Sequence, residues 1–450
     1  MPQKYHLIAT GGAIMHNLAL ALHHQGHRVS GSDDEIYNPA RDRLAAAGLL
    51  PPTEGWHPER ITSDLDGVIL GMHARPDNPE LKKATELGLP IYSFPEFVYE
   101  RSKNKRRTAI CGSHGKTTTT SMILHVLHHY EQAIDYLVGA QLDGFERMVR
   151  LSEAPNIVIE GDEYLSSPID RRPKFVHYRA NLAVLTGIEW DHINVFPTYE
   201  DYLAQFDLLL ESLAQNATLI YNEEDEEVVR VVARCRRTDL SFVPYHTLPW
   251  KPAPEGGTLT HFGSDSYALQ IFGDHNFSNL AAAMEVGAQL GISKKDFLEA
   301  MTGFQGAARR LQEVYRSDAL TVWNDFAHAP SKVRATVRAV RALHPERKLY
   351  AILELHTFSS LNRDFLPHYK QTLDAADEVV VFFNEHTLAI KKLPPLSPEI
   401  VASAFAHPAL TVITDREKLA TWLDERDLND ASLLMMSSGN FGGLQYDFKA

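Results

Sequence analysis

Seven residues, Gly112-Ser-His-Gly-Lys-Thr-Thr118, concentrate the chemistry of this chain. They lie where the apolar run Thr108–Cys111 gives way to a helix expected to begin near Thr117. Glycines let main-chain amides close around phosphate oxygens, a lysine supplies a point charge, and a threonine hydroxyl can ligate magnesium. Gly112, His114, Gly115, Lys116, Thr117 and Thr118 are therefore the expected ATP phosphate cradle, with Thr117 on Mg2+. The full phosphate-loop pattern carries another glycine five residues before Gly115, and Ile110 stands there instead.

Other polar groups fall at the ends of apolar strands. Glu160-Gly-Asp-Glu163 follows Ile157–Ile159, and Asp191-His192 follows Val184–Thr186. An α/β sheet presents metal ligands and bases at such carboxyl ends. Either motif alone is equally a charged surface turn; beside a phosphate loop, Glu160 and His192 become candidates for a second cation site. Gly273-Asp-His-Asn-Phe-Ser-Asn279 opens a helix, where Asn276 is a candidate cap and Asn279, one turn on, a candidate purine contact. Arg309-Arg310 could stabilise a transferring phosphoryl group or simply be solvated. Asn324-Asp-Phe-Ala-His-Ala-Pro330 lies between a strand and a helix and offers polar contacts to a nucleotide sugar. Gly11-Gly12 with Asp33 at the end of the second strand suggests a dinucleotide fingerprint, hence a nicotinamide dehydrogenase. Met15 and His16 occupy the later glycine positions, so the match is incomplete; a Rossmann-like domain can equally hold the pyrophosphate of a UDP-sugar, and with the ATP loop in a separate domain that is the preferred ligand.

Strand-like and helix-like segments alternate along the chain, the pattern of α/β layers with mainly parallel sheets. The expected architecture has a Rossmann-like N-terminal domain over 1–105, a P-loop ATPase-like central domain over 106–305 and a Rossmann-like C-terminal domain over 306–450. The basic stretch Arg101–Arg107 reads as a linker. The stretch Cys235–Phe272 reads as peripheral strands and loops, and Phe365–Ala375 as a helix.

A length of 450 residues fits two to four domains. A formal charge of −14 without a basic arm argues against nucleic acid as a partner. Cys111 and Cys235 are too few and too distant for a disulfide framework. No signal-like start and no apolar run of about 20 residues is present, so a cytoplasmic protein with no membrane partner is expected.

Taken in order, Gly112-Ser-His-Gly-Lys-Thr-Thr-Thr119, Glu160-Gly-Asp-Glu163, Glu189-Trp-Asp-His192, Gly273-Asp-His-Asn276, Arg309-Arg310 and Asn324-Asp325 resemble the Mur ligase family. That family joins amino acids or peptides to UDP-N-acetylmuramate using ATP, and its phosphate loop lacks the distant first glycine. The likeness extends over essentially the whole chain. Asp162-Glu-Tyr164, Asp170-Arg-Arg, Lys174-Phe-Val-His-Tyr178 and Met436-Ser-Ser-Gly-Asn-Phe-Gly-Gly443 are most similar to its murein peptide ligase branch, which adds L-alanyl-γ-D-glutamyl-meso-diaminopimelate. The alternative is the branch that adds L-alanine. Met72-His-Ala-Arg-Pro-Asp-Asn78 and His16 depart from both patterns.

The resemblance implies attack of the muramate carboxylate on the ATP γ-phosphate, then displacement of phosphate from the acyl phosphate by an amine. It implies Lys116 on the β/γ-phosphates, Glu160 and His192 on a second magnesium, and Arg310 with Arg309 on the γ-phosphate. Asn276 and Asn279 would face adenine and Asp325 the ribose. Gly11, Gly12, Ser32, Asp33 and His73 would line the UDP-sugar site. By position in the third domain, the stretches around Glu354-Leu-His356-Thr357 and Ser437–Gly443 would meet the acceptor. No lysine occurs between His192 and Ala214 to be carbamylated, as some family members require. A monomer or weak homodimer is expected. A sensor that binds both ligands without ligation is the reading from another class.

Overall fold

The computed structural model describes residues 2–140, 142, 145, 147–193, 195–253, 257–306 and 310–447. The chain divides into two compact units. The first comprises Met1–Ile188, Leu203–Tyr245 and Ala282–Lys294; the second comprises Glu189–Tyr202, His246–Ala281 and Lys295–Ala450.

The first unit opens with a four-stranded parallel sheet. Lys4–Ile8 is flanked by Arg28–Ser32 and Gly67–Leu70, with Ile91–Ser93 outermost. Parallel strands need both faces covered, and Leu7, Ile8, Val68, Ile69 and Leu70 are fully buried. One polar pair interrupts this apolar set. His6 Nε2 lies 3.2 Å from Glu80 Oε2, and neither side chain is exposed. The His6 Nδ1 is 2.8 Å from Ser30 Oγ, and the His57 amide donates to Glu80 Oε1 at 2.6 Å. Strand, helix Pro79–Glu86 and the loop at His57 are thus tied through one buried carboxylate. Burial pushes that carboxyl up, but His6 and the His57 amide outweigh it and hold Glu80 below the ordinary 4.5.

The second sheet of this unit has seven strands. In order they are Ser241–Tyr245, Thr218–Asn222, Leu182–Leu185, Arg106–Cys111, Asn156–Gly161, Ile134–Leu137 and Val149–Arg150, and only the last runs antiparallel to its neighbour. Ala109, Ile110 and Cys111 are fully buried in the middle strand, which leads through the Gly112–Gly115 turn into helix Lys116–His129. Pro244 is accommodated because its strand is an edge.

The expected linker at 101–107 is not one. Arg101 and Ser102 end helix Phe94–Ser102, and Arg106 already belongs to the central strand. The Arg107 guanidinium is buried and donates to the carbonyls of Ser102, Lys103, Lys105, Tyr178 and Arg179. A basic residue that looks like a tether is a cap on the last carbonyls of a helix. His16, which stands at a later glycine position of the fingerprint, lies inside helix Ala13–His24 with Nδ1 2.9 Å from Gly12 O.

The second unit contains a six-stranded sheet in the order Gln312–Arg316, Leu320–Asp325, Ala431–Met436, Lys348–Glu354, Glu378–Phe382 and Leu410–Ile413. All but the first strand are parallel. A three-stranded antiparallel sheet, Trp250–Pro252 with Thr258–Phe262 and Asp265–Leu269, accounts for much of the expected peripheral stretch. The helix expected over Phe365–Ala375 reduces to one 3-10 turn, Leu366–Tyr369. Gln371 is left-handed at φ +64, which stops the helix, while Leu366, Tyr369 and Leu373 still reach the core. Helices Glu226–Arg234, Glu385–Ile390 and Pro398–Phe405 and strands Thr218–Asn222 and Leu410–Ile413 were not anticipated. The architecture is α/β with Rossmann-like sheets at both ends and a P-loop ATPase-like sheet between. Among the described residues, no helix is long and apolar enough to cross a membrane.

The His6–Glu80 pair gives a pH prediction. A carboxylate held below its unfolded value contributes stability above that value, and the contribution is lost as pH falls through the folded value. Thermal unfolding of the intact protein should therefore lose stability on acidification below about pH 4.5. Glu80→Gln should flatten that acid limb while lowering stability near neutral pH by about 1–3 kcal/mol.

Candidate functional site

The Gly112–Lys116 turn is shaped by its neighbours on the middle sheet. Gly112 has φ +126, and a Cβ there would overlap Thr186 Oγ1 and lie 2.9 Å from Gly187 O. The Ser113 amide donates to that Gly187 carbonyl at 2.9 Å. Gly115 is left-handed at φ +78 and starts the helix, so Lys116 is its first residue. A helix start directed from the carboxyl edge of a parallel sheet offers unpaired amides to an anion.

Three carboxylates meet this turn from strand Asn156–Gly161 and its extension. Lys116 Nζ is 2.7 Å from Glu163 Oε2, whose side chain is 1% exposed, and also donates to Gly112 O. Glu160 Oε2 accepts from Thr117 Oγ1 at 3.2 Å, and its Oε1 accepts from the Gly139 amide at 2.8 Å. Asp162 Oδ2 pairs with Lys174 Nζ at 2.6 Å. Burial pulls the Lys116 ammonium down, yet Glu163, then Asp162 and Glu160, hold it above the usual lysine value. Lys116 pairs with Glu163 and Lys174 with Asp162, while Glu160 meets the Thr117 hydroxyl and the Gly139 amide. Thr117 and Glu160 are hard oxygen donors at the separation, about 3 Å, of adjacent ligands around an octahedral ion with bonds near 2.1 Å. They fit magnesium. Cys111 is inert, because burial pushes its thiol far up.

In the four-stranded sheet, the Gly11 amide donates to Asp33 Oδ2 at 2.7 Å, and the Asp34 amide donates to Oδ1 at 2.9 Å. A Cβ on Gly11 would come within 2.9 Å of the same carboxylate. Burial raises the Asp33 carboxyl, and the Gly11 and Asp34 amides, then the charge of His73, oppose that rise. Gly11 and Asp33 thus meet; Ser32 is buried at the end of its strand, and Gly12 precedes the first helix.

The remaining predicted residues belong to the second unit. Helix Asp274–Gln289 begins two residues before Asn276, so Asn276 is not its cap. Its Nδ2 instead donates to Phe272 O at 2.9 Å, and Asn276 and Asn279 are both buried. His192 has φ +56, and its amide donates to Asp191 Oδ1 at 2.7 Å. The Asp191 carboxylate also faces His328 Nε2 at 3.8 Å and Lys332 Nζ at 3.7 Å. Burial would raise the Asp191 carboxyl; His328, His192 and Lys332 hold it well below the usual range.

Arg310 lies over the Phe326 ring, 4.6 Å from its centre. Asp325 Oδ1 accepts the amides of Leu311 and Phe326 at 3.0 and 2.8 Å, and Oδ2 accepts Thr336 Oγ1 at 2.5 Å. Asp325 therefore fixes the residue that follows Arg310, and a ribose contact would add to these bonds. Arg309 lies outside the described residues. His356 stands at the end of the six-stranded sheet beside Glu354, with Nδ1 3.8 Å from Glu354 Oε1.

Sequence reasoning gave Lys174, Phe326, His328 and Lys332 no roles of their own. The first three lie inside quoted motifs and Lys332 two residues beyond one, but their pairing depends on contacts that spacing does not reveal. Gly139 could not have been found at all, since its role is an amide and an absent Cβ.

Three family descriptions match successive segments: "Mur ligase family, catalytic domain" over 4–106, "Mur ligase middle domain" over 110–287 and "Mur ligase, glutamate ligase domain" over 309–439. The fold and site thus define an ATP-dependent ligase of three α/β domains. The chain belongs to the Mur ligase family, whose members form amide bonds at the expense of ATP, releasing ADP and phosphate. It is 30% identical over 387 residues to the UDP-N-acetylmuramate–L-alanine ligase of Roseiflexus sp. strain RS-1, covering 79% of each chain. It is 27% identical over 454 residues to the UDP-N-acetylmuramate–L-alanyl-γ-D-glutamyl-meso-2,6-diaminoheptandioate ligase of Escherichia coli K12, covering 98% of this chain and 96% of the relative. The solved tripeptide ligase from Neisseria meningitides superposes with a TM-score of 0.61 at 26% identity, over 70% of this chain and 100% of that one.

Gly112→Ala tests the turn geometry. The added Cβ overlaps the Thr186 hydroxyl, which is held by the Cys111 and His114 carbonyls, and crowds the Gly187 main chain, so unfolding in denaturant should show a loss of about 1–3 kcal/mol. An unchanged midpoint would contradict the close packing of Gly112 on Thr186 and Gly187.

Proposed function

We propose that the protein joins L-alanyl-γ-D-glutamyl-meso-diaminopimelate to UDP-N-acetylmuramate in an ATP- and magnesium-dependent reaction. The observation that carries the ligase reading is the Lys116–Thr117–Glu160 constellation on the middle sheet. Choice of the tripeptide rests on Asp162–Tyr178. There the hairpin of strands Leu165–Ser167 and Asp170–Pro173 is anchored beside the carboxylate cluster by Lys174.

Residues 1–105 take the UDP-sugar, with Gly11 and Asp33 shaping the pyrophosphate turn and Ser32 and His73 beside it. Residues 106–305 take ATP, and residues 306–450 the acceptor, with His356 among its contacts. Lys116 transfers from Glu163 to the β/γ-phosphate oxygens, where a cation gains more from two or three phosphate charges than from one carboxylate. Gly112, His114, Gly115 and Thr118 frame the phosphates. Thr117 would hold one magnesium ion and Glu160 with His192 a second, and the charge of the ions would offset that of the γ-phosphate and the incoming carboxylate. Asn276 and Asn279 face the adenine, and Asp325 faces the ribose while holding Leu311. Arg310, braced on Phe326 and joined by Arg309, meets the charge that develops on the transferring phosphoryl group.

The muramate carboxylate oxygen attacks the γ-phosphorus and ADP leaves. The acceptor amine, having lost a proton, adds to the acyl carbon, and the tetrahedral intermediate expels inorganic phosphate to leave the amide. A second reading keeps this chemistry with L-alanine as acceptor. It is favoured by the name of the 30% identical relative from Roseiflexus.

Phosphate release and product mass decide between them, with UDP-N-acetylmuramate and ATP supplied together with either amine. Tripeptide-dependent turnover is expected. Turnover with L-alanine and none with tripeptide rejects the first reading. Lys116→Ala should lower kcat on the order of 10²–10³-fold, and retention of full activity would exclude the phosphate role. Phe326→Ala should raise the KM for ATP or lower kcat several-fold through Arg310, with Phe326→Tyr close to wild type.

A further inference from the structure

Glu354 ends the Lys348–Glu354 strand of the six-stranded sheet, and its residue is 2% exposed. Its Oε2 accepts from Ser437 Oγ and from the Phe441 amide, the latter at 2.8 Å. Both donors lie more than 80 residues further along the chain. A Cβ on Gly439 would come within 2.8 Å of Glu354 Oε2 and 2.9 Å of His356 Cγ, so the 437–443 loop is pressed directly onto this pair. The Gly439 amide donates in turn to Ser437 Oγ at 2.7 Å.

The loop needs such an anchor. Phe441, Gly442 and Gly443 are successively left-handed, with φ +52, +66 and +80. Glycine accepts that conformation freely, but phenylalanine does not. The Phe441 amide bond to Glu354, together with the buried Phe441 ring 6.2 Å from Phe382, holds the turn in place. Beyond it lies a polar cavity of about 410 Å3, in which Gly442 faces Asn384 and Arg416. Burying a carboxylate without a close lysine or arginine is costly. The basic side chain beside Glu354 is the imidazole of His356, with Nδ1 3.8 Å from Oε1, and burial pushes that imidazole toward its neutral form. A conventional core position would be apolar.

We infer that Glu354 is a positioning residue for the acceptor substrate, clamping the Ser437–Gly443 loop and His356 into one rigid wall at the carboxyl edge of the six-stranded sheet. The inference rests on the reading that residues 306–450 take the acceptor. Glu354 need not touch the substrate; it sets the shape of the surface the substrate meets.

Full-length Glu354→Ala and Glu354→Gln test this against the wild type. The acyl phosphate formed from UDP-N-acetylmuramate and ATP without acceptor is trapped with hydroxylamine, and KM values are measured for ATP and acceptor separately. Glu354→Ala should raise the acceptor KM about 10-fold or more, while acyl phosphate formation and the KM for ATP stay within about 2-fold. Glu354→Gln keeps an oxygen for the Phe441 amide and should fall between the two. An unchanged acceptor KM in Glu354→Ala overturns the inference, as does acyl phosphate formation that falls in parallel. If Glu354→Ala fails to fold, as read by thermal unfolding, Glu354→Gln decides by the same criteria. Each measurement is run with tripeptide and with L-alanine, so a wrong acceptor assignment appears in the wild type and is separate from failure of the Glu354 role.

Discussion

The contact of Lys116 with Glu163, 2.7 Å long and almost wholly withdrawn from water on the carboxylate side, is the constraint around which the middle sheet is arranged. A cation placed at the start of a helix opposes the positive end of the helix dipole. It can be held there only if anions surround it, and Glu160, Asp162 and Glu163 supply them from one strand end. Those carboxylates would repel one another without a second cation, which Lys174 provides to Asp162. The result is a cluster in which charged groups of both signs are packed together at the start of the helix.

Acidic side chains repeat this holding function elsewhere. Asp33 fixes the Gly11 turn, Asp191 orients the His192 amide, Asp325 holds the residue after Arg310, and Glu354 gathers the Ser437–Gly443 loop. All four stand at or just beyond the carboxyl ends of strands, where main-chain amides turn away from the sheet and need acceptors. The formal charge of −14 is therefore not only a solvated surface. Part of it is internal scaffolding, in carboxylates that accept the main-chain amides of loops.

Much of this was legible beforehand where a local rule applies. Gly112, Gly115 and Lys116 are readable because a phosphate turn demands those residue types at that spacing. The strands at Thr108–Cys111 and Asn156–Glu160 are readable because strands buried on both faces are continuously apolar. The 101–107 stretch misled because Arg107 is basic and yet buried, its charge satisfied by carbonyls of the turn just before it and of the distant Tyr178–Arg179 segment. The expected helix at 365–375 failed because Leu366, Tyr369 and Leu373 reach the core from a turn broken by Gln371. Asn276 was misplaced relative to its helix because two polar residues, Asp274 and His275, precede it inside the first turn.

By itself, the sequence determined the alternating α/β layers, the phosphate turn and the ordered motifs of the family, since each depends on residues close together in the chain. Which carboxylate each lysine engages was decided by the tertiary structure, as were the supports of Arg310 and His192 and the loop that Glu354 holds. Those pairings join strand ends and loops separated by tens of residues. Their geometry follows from strand order and register, which local spacing does not encode. For the Gly112–Thr118 turn, the structure supplied the partners that local spacing could not: Glu163 for its lysine, Glu160 for its threonine, and Thr186 and Gly187 as the reason its first residue has no side chain.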